Sequence, residues 1–437
     1  MNRAKAKRFA KEYLVRVLNY ISKKKLAKYR PYVVGITGNL GKTTTKDYIF
    51  NVLKSGDIQV RATQKSFNSE FGVPLTILGE DNPWDSVLGW IKIVIKHFLL
   101  NYLKEDYPKV LVLEAGADAP LDIWKITQVV TPNTVVLTAF AENPVHAEFF
   151  PNRETHLREK QYLLDALPQN GVLIYNIDDK DILALTETHS TKKKISYGKH
   201  SQDVQLINTF IAYNKDAAPI GLKIVFVIDN TQHEIVLEGV LGNSHAYAVL
   251  AAVATGLTFN IDIKTIVNSF EKLVLPKSRL RILKGKNNST LLDDTYNASP
   301  KAALLALETL KSIKTEGQKI AILGHMAELG EAGAEEHRKV ARFAAETAQR
   351  IVLVGRHNDW YLNGLRESKF DPENIFLAKN SEEAIQIITK NINVSEGDIL
   401  LLKGSQSARI EKVAVTLLKN PKDRKHVCRQ EEEWQKR

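Results

Sequence analysis

Sulfur is scarce in this chain: among 437 residues there is one cysteine, Cys428. A single thiol excludes an intramolecular disulfide framework and any metal centre built from several cysteines, and it suits a reducing compartment. No apolar N-terminal run ends in a small-residue cleavage site, so no secretory leader is read and a cytoplasmic location is expected. Long apolar runs are missing as well. The most apolar stretch, residues 87–103, has 17 residues and contains Lys92, Lys96 and His97, which is marginal for spanning a bilayer. It reads as a packed amphipathic helix, with interfacial contact as the alternative. There is no internal repeat and no low-complexity tract.

Charge of one sign is also scarce over most of the chain. The net charge is +11, but residues 1–30 alone hold eleven Lys or Arg and one acid, Glu12, while the rest holds 50 basic and 49 acidic side chains. A nearly neutral body excludes a general nucleic-acid surface, and no nucleic-acid partner is expected. The basic arm has a pattern of its own: Phe9, Tyr13, Leu14, Val17, Leu18 and Ile21 recur at helical spacing. Such a helix docks its apolar stripe on its own domain or lies peripherally on the inner face of an anionic membrane.

Hydrophobic content of 44% and charged content of 25% are those of a soluble globular chain, and its length accommodates two to three domains. Four parts are expected: a basic amphipathic helix at 1–30, a central domain at 31–277, a second domain at 278–420 and a loose charged tail at 421–437. The central part alternates apolar runs with helical patterns, and 33–36, 110–113, 135–138 and 172–175 read as buried parallel strands. Residues 222–229 and 233–238 flank Asn230-Thr231-Gln232 as a hairpin, giving a small β-rich subsheet. Five further strand candidates, at 290–293, 320–323, 351–354, 375–378 and 399–402, imply a second, Rossmann-like doubly wound sheet. The fold class is α/β.

What the chain does have is the run Gly35-Ile36-Thr37-Gly38-Asn39-Leu40-Gly41-Lys42-Thr43-Thr44-Thr45 between an apolar strand and a helical segment. Backbone N–H groups of such a loop, with the helix N-terminus, cradle phosphate. Lys42 reaches the outer phosphates and the Thr43 hydroxyl suits Mg²⁺. The spacing is a variant, because Ile36 stands where the common P-loop has its first glycine. Glu114 ends the second strong strand, where a carboxylate points into the ligand crevice of an open sheet and offers a hard oxygen to Mg²⁺. Alone, Glu114, His146 and Lys160 have ordinary structural readings.

Their order along the chain, however, is specific. The loop, Asn68 within Ser66-Phe67-Asn68-Ser69-Glu70, Glu114, His146 and Lys160 are followed by Leu292-Asp293-Asp294-Thr295-Tyr296-Asn297-Ala298-Ser299-Pro300, Leu323-Gly324-His325-Met326-Ala327-Glu328-Leu329-Gly330-Glu331, His337 and Lys403-Gly404-Ser405. This set resembles the Mur ligase family, and within it the branch that adds D-Ala-D-Ala. The resemblance implies a magnesium- and ATP-dependent peptide-bond-forming ligase of peptidoglycan precursor synthesis, working through an acyl phosphate on a muropeptide or related carboxylate substrate. It assigns Gly38, Asn39, Gly41, Lys42, Thr43 and Thr44 to ATP phosphates, and Thr43, Glu114, His146 and Lys160 to Mg²⁺. Lys160 is implied as carbamylated, and Lys42, Lys160 and His146 as the catalytic set. His245, Arg279, Asp294 and Asn297 are implied to contact nucleotide, and Asn68, Lys403, Gly404 and Ser405 substrate. The last three are expected to open the final helix; His337 is a scaffold or substrate-side residue.

The pattern departs from the family in four places. His245 holds an Asn position, Leu121 a Gly position between Pro120 and Asp122, and His325 an Asp position. Only about thirty residues precede the loop where the family has a UDP-sugar-binding domain of ordinary size, so a separate subunit or a different carboxylate substrate is expected. Two other functions stay open: a polyglutamate-type ligase and a membrane-associated nucleotide-binding regulator.

Overall fold

The computed structural model describes residues 3–63, 68, 70–84, 86–142 and 147–435. Its first sheet has nine strands: β1 (Tyr32–Thr37), β2 (Val60–Ala62), β3 (Val110–Glu114), β4 (Thr134–Leu137), β5 (Val172–Asn176), β6 (Lys193–Gly198), β7 (Val204–Tyr213), β8 (Pro219–Ile228) and β9 (Thr231–Glu238). The spatial order is β2-β3-β1-β4-β5-β6-β7-β8-β9. Pairing is parallel from β2 to β7, and β7–β9 are antiparallel. The β-rich subsheet is therefore a continuation of the same sheet. β1, β3 and β4 are buried along nearly their whole length, which is why they read as unbroken apolar runs. The hairpin turn falls at Asp229-Asn230, not at 230–232, because these two residues take φ of 47° and 61° and so supply the left-handed pair of a tight two-residue turn.

The second sheet has six strands, β10 (Arg281–Lys284), β11 (Thr290–Asp294), β12 (Lys319–Gly324), β13 (Arg350–Val354), β14 (Ile375–Ala378) and β15 (Ile399–Lys403), in the order β10-β11-β15-β12-β13-β14. Only β10 is antiparallel; its four residues are too few to show a pattern. The sheets meet through backbone pairing, with Leu241 N–H donating to Leu280 O (3.0 Å) and Ile282 N–H to Gly239 O (2.9 Å).

The arm is a helix, α1 (Arg3–Tyr29), docked on the domain. Leu18 and Ile21 are buried with Leu75, Leu78 and Ile93, which belong to α3 (Gly72–Leu78) and α4 (Val87–Leu100), while α2 (Lys42–Ser55) follows the glycine loop. Phe9 and Tyr13 of the expected stripe stay exposed. The tail is not loose: Val427 and Cys428 are buried, and Arg429 donates to Thr295 O at 3.0 Å. Its polar composition concealed two apolar residues and an arginine whose stem packs.

Candidate active site

Gly38 and Gly41 hold the loop in conformations that L side chains rarely adopt, with φ of 149° and 81°. A Cβ on Gly38 would lie 2.1 Å from Thr138 Oγ1. The loop is fixed to the end of β4, as Asn39 N–H donates to Ala139 O (2.7 Å) and Thr138 Oγ1 donates to Leu40 O (2.7 Å). Lys42 begins α2 and curls back, Nζ donating to Gly38 O at 2.8 Å. Burial lowers its pKa, and the nearby Glu114 carboxylate opposes that shift. Thr43 is half-buried and Thr44 buried on the same first turn.

Parallel register sets Glu114 beside Ile36, two residues before Gly38. Its side chain is 1% exposed. One oxygen accepts from Asn68 Nδ2 at 3.1 Å, and among the described residues Oε2 has no hydrogen-bond partner. An orphaned carboxylate oxygen beside a phosphate loop fits a hard cation, since burying it unpaired is costly. Among the described residues no three His, Cys, Asp or Glu side chains gather as a metal cluster. Mg²⁺ itself takes one or two protein ligands and completes its shell with water and phosphate. His146 lies outside the described residues.

Lys160 projects from α6 (Arg153–Asp165; α5 is Asp122–Thr127). It is buried, with Nζ 3.3 Å from His156 Nε2. Burial first, and then the charge of Lys42, push its pKa down to about 7. The sequence reading passed over His156, one turn before Lys160, which also lies 3.5 Å from Asn39 Nδ2. It passed over Glu159 too, whose carboxylate accepts from Leu121 N–H and from Ile123 N–H (2.9 Å). This clamp holds Leu121 at φ 70°, a glycine-favouring conformation at the position where the resemblance puts glycine. Neither signal was visible in advance, because single polar residues on a helix carry no pattern.

The other expected residues fall into two groups. His245 is buried, with Nδ1 2.5 Å from Tyr48 OH and Nε2 2.7 Å from Arg279 O, and burial drives its pKa down to about 4. Arg279 stacks on Tyr296 at 4.1 Å and lies near enough to Lys42 to lower that lysine's pKa. The second group is joined by Lys403, whose Nζ donates to Asp294 Oδ2 (2.6 Å) and Asn297 O (3.0 Å). Ser405 N–H donates to His325 O (3.1 Å), and Ser407 Oγ lies 2.9 Å from His325 Nε2. Gly404 and Ser405 open neither the last helix, which is at Glu432–Gln435, nor the one before it: a short turn at 406–408 intervenes and that helix begins at Glu411. His337 is scaffold, bonded to Met326 N (3.0 Å) and Gly333 O (2.6 Å). Between the sheets a cleft of about 410 Å³ is lined by Phe140, Asp179 and Lys301, and Lys301 Nζ donates across it to Phe140 O at 2.7 Å.

A phosphate loop on a parallel sheet, a buried carboxylate at the adjoining strand end and a second doubly wound domain across a cleft define a P-loop nucleotide-dependent enzyme of two α/β domains. The chain belongs to the Mur ligase family, which are ATP-dependent ligases. Residues 91–256 match the Mur ligase middle domain, and 278–406 match the Mur ligase glutamate ligase domain. The chain is 26% identical over 405 residues to a UDP-N-acetylmuramoyl-tripeptide–D-alanyl-D-alanine ligase of Bacillus subtilis, covering 92% of this chain and 79% of that protein. A MurF ligase from Thermotoga maritima, solved with ADP, superposes with a TM-score of 0.74 at 25% identity, over 92% of this chain and 82% of that one. A folylpolyglutamate synthase of Mycobacterium tuberculosis shares the fold, with a TM-score of 0.64 at 14% identity over 91% and 94%.

Proposed function

We propose that the chain joins D-Ala-D-Ala to the terminal carboxylate of a muropeptide, using ATP, on the cytoplasmic side of the membrane in peptidoglycan precursor synthesis. The observation that carries the reading is the buried Glu114, with one oxygen unpaired, beside Lys42 of the phosphate loop. In the first step a substrate carboxylate oxygen attacks the γ-phosphorus of ATP, and the bond to the β-phosphate oxygen breaks, giving an acyl phosphate and ADP. In the second step the dipeptide amine attacks the acyl carbon, phosphate leaves with the C–O electron pair, and the amine loses a proton to water or to the phosphate. No protein nucleophile is required.

The work of the chain is to hold two anions together. Lys42 places a positive charge on the transferring group, Gly41, Thr43 and Thr44 supply N–H groups or hydroxyls, and Gly38 and Asn39, whose N–H is taken by Ala139 O, hold the loop in shape. Glu114 and Thr43 would hold Mg²⁺, which supplies charge neutralisation when bound. A Lys160 held near neutral is a nucleophile for CO₂: its nitrogen lone pair forms the N–C bond, one proton leaves, and the resulting carbamate is a carboxylate-like ligand. His156 accepts beside that nitrogen. Arg279 faces the nucleotide, His245 serves it indirectly by holding the Arg279 backbone, and Asp294, Asn297, Lys403, Gly404 and Ser405 shape the side from which the amine enters, with Asn68 orienting Glu114.

The test is phosphate release from ATP with purified protein, UDP-N-acetylmuramoyl-tripeptide and D-Ala-D-Ala. Release that needs both substrates is expected. Release with glutamate in place of the dipeptide would instead make it a polyglutamate-type ligase, and tight ATP binding without turnover under every combination would overturn the enzymatic reading.

A further inference from the structure

The helix α4 is only half packed. Ile93 and His97 face inward and are buried, whereas Leu88, Ile91, Ile95 and Phe98, spaced three and four apart, form the opposite face and are exposed, as is Tyr102 in the turn that follows the helix, Leu88 and Tyr102 by 79% and 78%. Leu99 widens that stripe. A contiguous apolar face of this extent marks an interaction surface, because isolated exposed apolar residues are ordinary but a row of them is not. Among the described residues no helix is long and apolar enough to cross a membrane.

Beside it runs α1, where most of the net charge of the chain is concentrated. The two helices are one body: Lys25 Nζ bonds His97 Nδ1 at 3.0 Å, and Lys28 Nζ donates to Asn101 O at the end of α4 at 3.0 Å. The outward residues of α1 mix aromatic and basic side chains. Phe9, Tyr13 and Tyr20 are exposed, with Arg16, Lys23 and Lys24 among them, and Lys24 Nζ sits over the Tyr20 ring at 5.6 Å.

We infer that α4 and α1 form a peripheral docking surface for an anionic lipid bilayer, with the α4 face entering the acyl boundary and the α1 cations meeting the headgroups. Charge complementarity selects this occupant. Interfacial helices combine apolar insertion with basic attraction to anionic lipid. A second copy of the chain would satisfy the apolar face but would bring two strongly basic helices together, and like charges across an interface are unfavourable.

The full chain is mixed with vesicles of phosphatidylcholine alone, or of phosphatidylcholine with phosphatidylglycerol, and binding is read by sedimentation and by quenching of tryptophan emission with brominated acyl chains. Trp84, 54% exposed just before α4, is the expected reporter. Binding should require phosphatidylglycerol and weaken with salt. The triple variant R16Q/K23Q/K24Q should lose roughly 10²-fold in affinity, and I95E or L88E at least roughly tenfold. These sites are exposed and lie outside the catalytic machinery, so ATP turnover in solution serves as the check that each variant is folded. No binding at low salt overturns the inference. So does binding that I95E and L88E leave unchanged, and so does a wild-type dimer in sedimentation velocity that I95E dissolves, which would assign the face to a second copy.

Discussion

Gly38→Ala tests the phosphate loop by sterics alone. The new Cβ would sit 2.1 Å from Thr138 Oγ1 and 3.1 Å from the Ala139 backbone, at a φ of 149°. Backbone strain of this kind costs about 1–3 kcal/mol. Moving the threonine hydroxyl also breaks its bonds to Thr37 O (3.2 Å) and Leu40 O (2.7 Å), at about 0.5–1.5 kcal/mol each. The expected loss is about 3–5 kcal/mol. Gly41→Ala is the internal control: φ is 81°, but the nearest atom to its Cβ is Thr45 Oγ1 at 4.0 Å, so strain alone remains, about 1–2 kcal/mol. Urea unfolding should place Gly38→Ala roughly 1 M or more below wild type and Gly41→Ala clearly between. Thr138→Ala removes the obstructing oxygen, so the double variant Gly38→Ala/Thr138→Ala should show a favourable coupling of about 1–2 kcal/mol. Equal costs for the two glycines, or no coupling with Thr138, would refute the reasoning. ATP binding, measured by calorimetry, should fall for Gly38→Ala more than its stability does, because Gly38 O also holds Lys42.

Lys160→Ala should lower turnover by about two orders of magnitude and recover in part with added formate or acetate; full activity without them would end the carbamate role. His245, His325 and His337 have pKa values pushed down by burial to about 4. The unfolded chain therefore binds more protons between pH 4 and the ordinary histidine value near 6.5. Their stabilisation is complete above about pH 6.5 and is lost on acidification, by about 2 kcal/mol per ring between pH 7 and pH 5; urea midpoints that do not move over that range would contradict it. Leu121→Gly should be neutral or stabilising by up to about 1 kcal/mol, since Leu121 is held at φ 70° and is exposed; a clear loss in urea unfolding would contradict this. ATP with both substrates should rotate the domains together, and identical small-angle scattering with and without them would argue against closure.

The strands were legible because β1, β3, β4 and β15 are buried on both faces, so burial alone writes an unbroken apolar run. The loop was legible because its glycines are demanded by backbone geometry. The half-packed state of α4 was not legible, because an apolar face against the protein and one against another apolar phase are written in the same residues. His156 and Glu159 were invisible for the opposite reason: their roles depend on the loop at 121–123 and on Asn39, both distant in sequence. What the departures mean is three-dimensional. His245 can stand in an Asn position because Tyr48 and Arg279 O use both of its ring nitrogens, and Leu121 in a Gly position because Glu159 clamps the backbone on either side.

Register makes the site a property of whole sheets rather than of its residues. Glu114 reaches the phosphate loop because β3 pairs with β1 so that it stands opposite Ile36. Lys403 reaches Asp294 because β15 pairs with β11 at that position. Both pairs lie at the C-terminal ends of parallel strands, so a slip of one residue would turn either carboxylate to the opposite face. The continuous apolar runs behind them, including Val110–Leu113 and Ile399–Leu402, resist that slip by burial. Between the sheets the chain does not run free: residues 239–241 pair with 280–282, and His245 holds the Arg279 carbonyl beside this seam. A domain rotation is expected to pivot on the seam, where Arg279 is held to the first domain by His245 and to the second by stacking on Tyr296, while Asp294 and Lys403 move with the second sheet. The Lys301 contacts across the cleft, to Phe140 O and more distantly to Asp179 at 3.8 Å, are among those such a rotation can exchange. Lys301 is partly exposed, so water can replace its partners at little cost.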